Sequence, residues 1–285
     1  LPYYDFSTTL LSNDYGVVDF NSKGNNDLKD TNNLETRIIN DISFESQDKI
    51  FYDYGNINNF GLYLKNTNAI GKNNPRYNSD PQLDLMSIFE FNSSLPFVKQ
   101  KNDYFNSFTP KISFRINPSN MRNYSDDNRI ITAKNIFNID RLSIDDSFES
   151  GKSITYGVDF RRESQNDNNR YTQFNLASLI RDVEEKNIPK KTTLNEKNSN
   201  IFGSIDHSIS NFLALNYDFS IDNDLKEFDY NAIGLDVSVN NFVTKFNFIE
   251  ENNEMGDASS IENVTTYNIN ENNFLSFQTR RNRKI

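Results

Sequence analysis

The residues best suited to chemistry surround the single histidine of the sequence. His207 lies in the segment GSIDHSIS beside Asp206, with Ser204 and Ser208 close by, and these residue types could build a hydrolase such as a lipase. Neighbouring residues of a strand face opposite sides, so Asp206 cannot share a face with His207, and the sequence lacks a G-x-S-x-G motif. We therefore expect His207 to be an ordinary strand residue.

A second chemical motif is Gly151-Lys152-Ser153, the sequence that ends a phosphate-binding loop. Such a loop needs an earlier glycine where this chain has Asp146, and it needs a helix to begin directly after the motif. The residues that follow, ITYGVDF, alternate between apolar and polar or small as a strand does. We therefore predict no nucleotide site and no cofactor.

Acidic loop residues offer oxygen ligands for a calcium ion. Asp126 and Asp127 form one pair, and Asp145, Asp146 and Glu149 form a second group. Neither spacing fits an EF-hand loop, and isolated acidic loops are usually solvated. The absence of cysteine excludes a thiolate site, and one histidine makes imidazole ligation and base catalysis nearly unavailable. We predict no metal site and no enzyme.

The charge balance limits the partners that the protein can bind. Its 40 acidic and 30 basic residues give a formal net charge of -10, which argues against nucleic acid because phosphate backbones are bound by clustered lysine and arginine. The basic cluster consists of Arg280, Arg281, Arg283 and Lys284. We expect a solvated strand end there, and the alternative is that the cluster faces anionic lipid headgroups.

The elements that must position these residues are strands, because apolar and polar residues alternate from one end of the chain to the other. In the stretch 109–160 this pattern is clear on both sides of a polar link: Ile112, Phe114 and Ile116 alternate with polar residues, and residues 154–160 alternate again. The whole chain contains about fourteen such segments.

The segments between these strands are rich in residues that favour turns and loops. Asn, Gly and Pro predict loops over residues 21–33 and 66–81, and residues 181–200 form a long charged connection. Asn240 and Asn241 predict a tight hairpin, because asparagine tolerates positive φ.

Sequential strands of this kind predict an all-β fold, an antiparallel up-and-down meander. The apolar face could contact lipid in a large transmembrane β-barrel, or a second sheet in a secreted or surface β-sandwich with an adhesin-like binding function. Strand lengths near ten residues and aromatic residues near strand ends favour the barrel. Low mean hydropathy does not oppose it, because a barrel strand needs apolar residues on one face only.

The polar link and the strand after it contain a spaced series of residues: Asn135, Ile136, Phe137, Arg141, Asp146, Glu149, Gly151, Tyr156 and Gly157. This series resembles a signature in the barrel domain of the LptD family, the lipopolysaccharide-assembly proteins of the Gram-negative outer membrane. In that family an N-[LI]-F-x-x-x-R segment is followed by D-x-x-E-x-G and by a strand that contains Y-G. The flanking segments IINDISFES, SSLPF, KNSNIFGSI and TRRNRK also resemble the family, so the resemblance extends over most of the chain.

The resemblance implies a translocon component that inserts lipopolysaccharide into the outer leaflet of the outer membrane. The partners that it implies are lipopolysaccharide, an LptE-type lipoprotein plug, outer-membrane lipid, and a periplasmic Lpt bridge that acts through the family's N-terminal domain. That domain, a signal peptide, the family's cysteines and its last barrel strands are not visible in this sequence. We therefore expect residues 1–285 to be an internal part of the barrel domain.

The resemblance also suggests which residues contact the lipid. Arg115, Arg141 and Arg161 are candidates to bind its phosphates, because a guanidinium fork matches a phosphate group. The alternative, which we favour, is that Arg141, Asp146 and Glu149 form an ion-pair network in the lumen that holds the strand ends. Neither hypothesis requires covalent chemistry.

Overall fold

The computed structural model describes residues 2–29, 32–51, 54–74, 76–167, 169–270 and 272–284. Strands account for most of them. The first eight are β1 (Tyr3–Asn13), β2 (Gly16–Lys29), β3 (Asn33–Ser46), β4 (Lys49–Phe51), β5 (Asn56–Lys72), β6 (Gln82–Ser94), β7 (Phe97–Lys101) and β8 (Tyr104–Asn117). The others are β9 (Gly151–Ser164), β10 (Tyr171–Arg181), β11 (Ile201–Ser210), β12 (Leu213–Ile221), β13 (Phe228–Val239), β14 (Phe242–Glu251), β15 (Ala258–Asn270) and β16 (Asn273–Lys284).

The strands form an antiparallel meander in which hydrogen-bonded neighbours follow one another along the chain. Short strands β4 and β7 pair with β5 and β8 outside the main path, which leaves fourteen strands on that path. The predicted all-β meander and its strand number are therefore confirmed. The predicted hairpin is present as well, since Val239 pairs with Phe242 and Asn240 has a φ of 51°.

Two of the predicted loops are largely strand. β2 continues to Lys29, through most of the predicted loop 21–33, and β5 continues to Lys72, through the first part of the predicted loop 66–81. These two predictions were wrong over those residues. Asp30, Thr31 and Pro75, which also belong to the predicted loops, lie outside the described residues.

Hydrogen bonds between side chains explain why asparagine is tolerated in these strands. The Ser22 hydroxyl donates to the side-chain oxygen of Asn40 at 2.7 Å, and the side-chain amide of Asn40 donates to the side-chain oxygen of Asn66 at 3.3 Å. One row of polar groups thus crosses β2, β3 and β5. The low β propensity of asparagine is offset here because cross-strand neighbours satisfy its amide.

Two compact units divide the chain. Unit 1 comprises Leu1–Ser93, Ser113–Asn123 and Leu142–Ile154, and unit 2 comprises Ser94–Ile112, Tyr124–Arg141 and Thr155–Ile285. The two short helices of the described residues, Lys190–Thr192 and Asn253–Met255, are 3₁₀ turns of unit 2. None of the helices in the described ranges is long and apolar enough to cross a membrane.

In unit 1 the strands expose apolar residues and bury polar ones. Leu83 and Leu85 of β6 are 70% and 68% exposed, and they share a face with Phe89 and Phe91, which we call the outer face. The opposite, inner face carries buried polar residues: Lys65, Thr67, Glu90, Ser113, Arg115 and Asn117. A sheet that packs against a second sheet shows the reverse arrangement.

Unit 2 shows the same polarity. Leu215, Leu235 and Phe246 are cross-strand neighbours on its outer face, whereas Asp206 and Asp218 lie on its inner face. Apolar residues from two connections pack on the inner face beside Leu179 and Phe202; these residues are Ile131, Ile136, Ile188 and Leu194. Two main-chain hydrogen bonds join the connections, Tyr124 N–H to the Asn187 carbonyl at 2.8 Å and Lys190 N–H to the Ser125 carbonyl at 3.2 Å.

Candidate functional site

A buried charge network lies on the inner face of unit 1. Arg115 of β8 forms an ion pair with Glu90 of β6 at 2.9 Å, and its other terminal nitrogen lies 3.6 Å from Glu149. All three side chains are at most 4% exposed. The Ser113 hydroxyl donates to the same Glu90 oxygen at 3.2 Å, and the Asn117 amide donates to the Glu149 carbonyl at 2.9 Å. One guanidinium thus neutralises two buried carboxylates from different parts of the chain.

Residues 142–150, which we call the inner segment, supply Glu149 and a second buried acid, Asp146. The Tyr77 hydroxyl donates to the Asp146 carboxylate, and the Thr67 hydroxyl donates to the Asp146 carbonyl at 3.0 Å. Arg122 lies 3.9 Å from Asp146 and 4.7 Å over the Tyr77 ring. Burial, reinforced by Asp146, raises the pKa of Tyr77 above its ordinary value, so the phenol remains a hydrogen-bond donor.

Lysines of strands β5 and β2 also contact the inner segment. Lys65 donates to Asp41 at 3.0 Å and to the Asp145 carbonyl at 2.7 Å, and its ammonium lies 4.7 Å over the Phe148 ring. Lys23 pairs with the Asp145 carboxylate at 2.7 Å, and that hydrogen bond lowers the pKa of Asp145. The acids of the inner segment are therefore bound to cations or hydroxyl donors of strands β2, β5 and β8 and of the connections next to them.

In unit 2 Arg141 supplies a buried guanidinium. It donates to the Ile136 carbonyl at 3.2 Å and to the Thr155 hydroxyl at 2.9 Å, which connects the end of one loop to β9. Earlier in the same loop, Lys134 lies 2.9 Å from Asp206 and 3.5 Å from Asp218. Burial lowers the pKa of Lys134, but the two carboxylates more than offset this effect and raise it overall.

Two further signature residues shape the same loop. The Asn135 side-chain oxygen accepts a hydrogen bond from the Thr132 N–H at 2.8 Å, which closes a turn. The Phe137 ring lies 4.2 Å below the ammonium of Lys111, and Lys111 also pairs with Asp159 at 2.7 Å. Asn135 therefore fixes the shape of the loop, and Phe137 holds the loop against Lys111 of β8.

The remaining signature residues belong to β9 itself. Gly151 begins the strand with a φ of 89°, a left-handed conformation that disfavours other residues. A Cβ atom at Gly157 would lie 2.5 Å from the Leu176 carbonyl oxygen of β10, so the two backbones approach more closely than a side chain allows. Tyr156, which precedes Gly157 in β9, lies on the outer face and is 44% exposed.

The three candidate phosphate-binding arginines lie in different surroundings. Arg115 is buried in the carboxylate network of unit 1, and Arg141 is buried in unit 2. Arg161 is partly exposed, pairs with Glu163 at 2.7 Å, donates to Gln173 at 2.9 Å and stacks on Tyr171 at 4.4 Å. Of the residues predicted to form a network, Glu149 lies beside the Arg115 guanidinium. Asp146 accepts a hydrogen bond from Tyr77 and lies near Arg122.

The sequence analysis missed several partners in these networks: Tyr77, Glu90, Arg122, Lys65 and Lys134. Their partners lie far away along the chain, so no local spacing identifies them. A signal does exist for Glu90 and Lys65, because each is a charged residue inside an otherwise strongly alternating strand. Such a position on a buried face requires an opposite charge.

The chemical motifs that the sequence analysis rejected are accounted for by the strands. The His207 ring contacts the Thr172 hydroxyl at 2.8 Å, whereas Asp206 contacts Lys134, so the predicted separation of His207 from Asp206 is confirmed. Gly151-Lys152-Ser153 begins β9, which confirms the prediction that a strand follows this motif. Asp127 pairs with Arg129 at 3.4 Å, and the described residues contain no group of three or more acidic or histidine side chains arranged to hold a metal ion.

Comparison with known proteins identifies a family for this chain. A family model described as LptD, LPS transport system D, matches residues 3–273, which is most of the chain. A comparison with curated proteins finds no match. The matched range contains the signature residues, the network around Arg115 and the contacts of Arg141.

Proposed function

This chain belongs to the LptD family, and on that premise we propose that its outer face contacts membrane lipid while its inner face borders a hydrated lumen for lipopolysaccharide. The family is a non-enzymatic transport system that assembles lipopolysaccharide in the outer membrane of Gram-negative bacteria. The predicted function, location and lack of enzyme activity are thereby confirmed. The lipase and adhesin-like alternatives are set aside.

The observation that supports this proposal is the polarity of the two sheet faces. Exposed Leu83, Leu85 and Phe246 would each lose favourable free energy in water, at roughly 25 cal/mol for each Å² of apolar surface left exposed. In a bilayer the same residues meet hydrocarbon. The buried inner-face charges pair with one another, as the lumen of an outer-membrane barrel permits. A sheet with lipid on its outer face and a hydrated lumen on its inner face therefore suits both the exposed apolar residues and the paired charges.

On the inner face, we assign the buried arginines Arg115 and Arg141 to holding the wall and its loops together. Arg115 already neutralises two carboxylates, and Arg141 donates to two acceptors, so neither guanidinium is exposed to a passing phosphate. Arg161 is partly exposed and is the better candidate of the three to contact the sugar and phosphate part of lipopolysaccharide.

Part of the inner face offers room for a lipoprotein plug of the LptE type. Asp236 of β13 and Lys245 of β14 face each other at 3.9 Å and are 50% and 57% exposed, whereas the inner face near Arg115 is covered by the inner segment. We assign the plug to the exposed part, and we assign delivery of the lipid to a periplasmic bridge that acts through the family's N-terminal domain. A photo-crosslinking residue at Asp236 should capture the lipoprotein, and one at Phe246 should not.

The central test uses two adjacent residues that face opposite ways. Residues 1–285 contain no cysteine, so Lys245→Cys and Phe246→Cys each add one labelling site within them. The full-length protein without either substitution, treated with the same spin label, is the blank. In lipid bilayers, the label at position 246 should collide with oxygen, which concentrates in hydrocarbon, and the label at 245 should collide with a water-soluble nickel chelate. Equal accessibility to the chelate at both positions would refute the assignment of faces.

A further inference from the structure

A cavity of about 290 Å³ lies at one end of strands β8 to β11 in unit 2. Its walls include Tyr104, Arg162, Arg170, Thr172, His207 and Ile209. Two arginines, a histidine and a hydroxyl around one cavity form a set of donors suited to an anion. This grouping is unusual in a chain with a formal net charge of -10.

The two arginines lack carboxylate partners within the described part of the chain. The Arg162 guanidinium stacks 4.1 Å from the Tyr104 ring, and Arg170 uses its main-chain N–H and carbonyl to close the turn with Asp167 and Ser164. Neighbouring Arg161, by contrast, is neutralised by Glu163 at 2.7 Å. Positive charge at the cavity is therefore available to a ligand.

The cavity opens on the outer face of the sheet. Thr172 pairs with His207 across β10 and β11, and His207 pairs with Leu215 of β12, which belongs to the exposed apolar row. Two residues further along β10, Phe174 pairs with Ile205 on the same face. The donors thus lie at the margin of the apolar band, where tyrosine and arginine meet lipid headgroups.

The neighbouring turns indicate which side of the membrane this margin faces. At this end of unit 2 two hairpins are tight, since Ser210 pairs with Leu213 and Val239 pairs with Phe242, and residues 165–170 connect β9 to β10. At the other end the connections span residues 182–200, 222–227 and 252–257. Outer-membrane barrels have short turns on the periplasmic side and longer loops outside, which places the cavity at the periplasmic leaflet.

We propose that this cavity binds the phosphate group of a phospholipid in the periplasmic leaflet. Arg162 and Arg170 bind the phosphate oxygens, Tyr104 holds the Arg162 guanidinium in place, and the acyl chains lie along the apolar band. His207 contacts Thr172 through Nδ1 at 2.8 Å, so Nε2 is the ring nitrogen that can contact the headgroup. This inference rests on the proposed contact of the outer face with lipid.

The test measures lipid retention by the full-length protein in detergent. Phosphatidylglycerol is added, and native mass spectrometry counts the lipids that remain bound. The double variant Arg162→Gln/Arg170→Gln should bind the lipid about tenfold more weakly or worse, as expected for the loss of charged hydrogen bonds. Arg129→Gln is the control: it removes an arginine that pairs with Asp127 at 3.4 Å and does not line the cavity, so this variant should bind as the wild type does. The double variant Arg162→Lys/Arg170→Lys keeps both positive charges but loses the paired N–H donors of the guanidinium groups. Its lipid affinity should lie between that of the wild type and that of the double glutamine variant.

Heat-modifiable gel mobility verifies that each variant is folded. Undiminished lipid binding by the folded double glutamine variant would overturn the proposal. Inorganic phosphate that binds as tightly as the lipid would also overturn it, since the site would then recognise a free anion. The spin-label experiment at positions 245 and 246 uses no added anionic lipid, so its failure can be distinguished from a failure here.

Discussion

Arg115 and Glu90 form an ion pair of 2.9 Å between side chains that are each only 4% exposed, on a sheet face whose reverse side exposes leucine and phenylalanine. A soluble sheet would place apolar residues at these two positions. Here the paired charges hold the inner segment, because Glu149 lies 3.6 Å from the same guanidinium. The stability of this face therefore requires that its buried charges be neutralised.

Replacing Arg115 by methionine should strongly destabilise the protein. The change leaves Glu90 and Glu149 buried without their shared cation, and breaking a buried pair in this way costs about 3–5 kcal/mol. The measurement is urea unfolding of the protein in lipid vesicles. Arg161→Met is the control: its ion pair with Glu163 is partly exposed and should contribute less than about 1 kcal/mol. Equal losses for the two variants would contradict the importance of burial.

Tyr77→Phe should loosen the inner segment while the strands persist. The variant removes the hydroxyl that donates to buried Asp146, and the loss of such a bond costs about 1–3 kcal/mol. Hydrogen exchange should accelerate over residues 142–150. Tyr15→Phe, at a position that is 73% exposed, should leave exchange there unchanged. If exchange over the inner segment is the same in both variants, the contact with Asp146 does not hold the segment.

Gly157→Ala should impair the pairing of β9 with β10. The new methyl group would lie 2.5 Å from the Leu176 carbonyl oxygen, which is backbone and cannot rotate away, so a cost of about 1–3 kcal/mol is expected. At Gly61 a new methyl group would meet the Tyr63 side chain, which can move. Gly61→Ala should therefore destabilise less in the same urea titration. The reverse order would show that the two backbones can separate at little cost.

The fold was largely predictable because period-two alternation marks strands whichever face is buried. Apolar and polar residues alternate from Leu213 to Ile221, and these are the bounds of strand β12. What alternation cannot give is the environment of each face, and the choice of the barrel depended on aromatic positions and on a family resemblance. Strands also extend further than predicted wherever asparagine side chains bond across the sheet, as Ser22, Asn40 and Asn66 do, because propensity is a local property and this pairing is not.

The site was predictable in part, for a similar reason. The signature marked Asp146, Glu149 and Arg141, but the partners of the two acids lie far away along the chain. Glu149 is neutralised by Arg115, which the sequence had suggested only as a phosphate contact. Asp146 is held by Tyr77, which lies in a segment predicted as a loop and has no pattern of its own. Contacts of this kind depend on strand register, which local spacing does not reveal.

The connections of unit 2 contain an acid whose protonation should control local stability. Glu196 lies in a cavity of about 230 Å³ with Glu254 and Asp229, and burial together with Glu254 raises its pKa to about 6. Lys191 and Glu251, 2.9 Å apart, connect the same two segments. Protonated Glu196 can donate a hydrogen bond to the neighbouring carboxylate, whereas ionised Glu196 repels it.

The sign of the pH dependence follows from the raised pKa. Between pH 4.5, the ordinary value for glutamate, and about pH 6, the folded state keeps a proton that the unfolded state releases, so the stability falls as the pH rises. Glu196→Gln resembles the protonated acid at every pH. Its free energy of unfolding in urea should match that of the wild type near pH 4.5 and exceed it above pH 6.5. Asp224→Asn, at an exposed turn, is the control and should show no such divergence from the wild type. If the free energies of unfolding of Glu196→Gln and the wild type change with pH in parallel, Glu196 and Glu254 do not share a proton in the folded state.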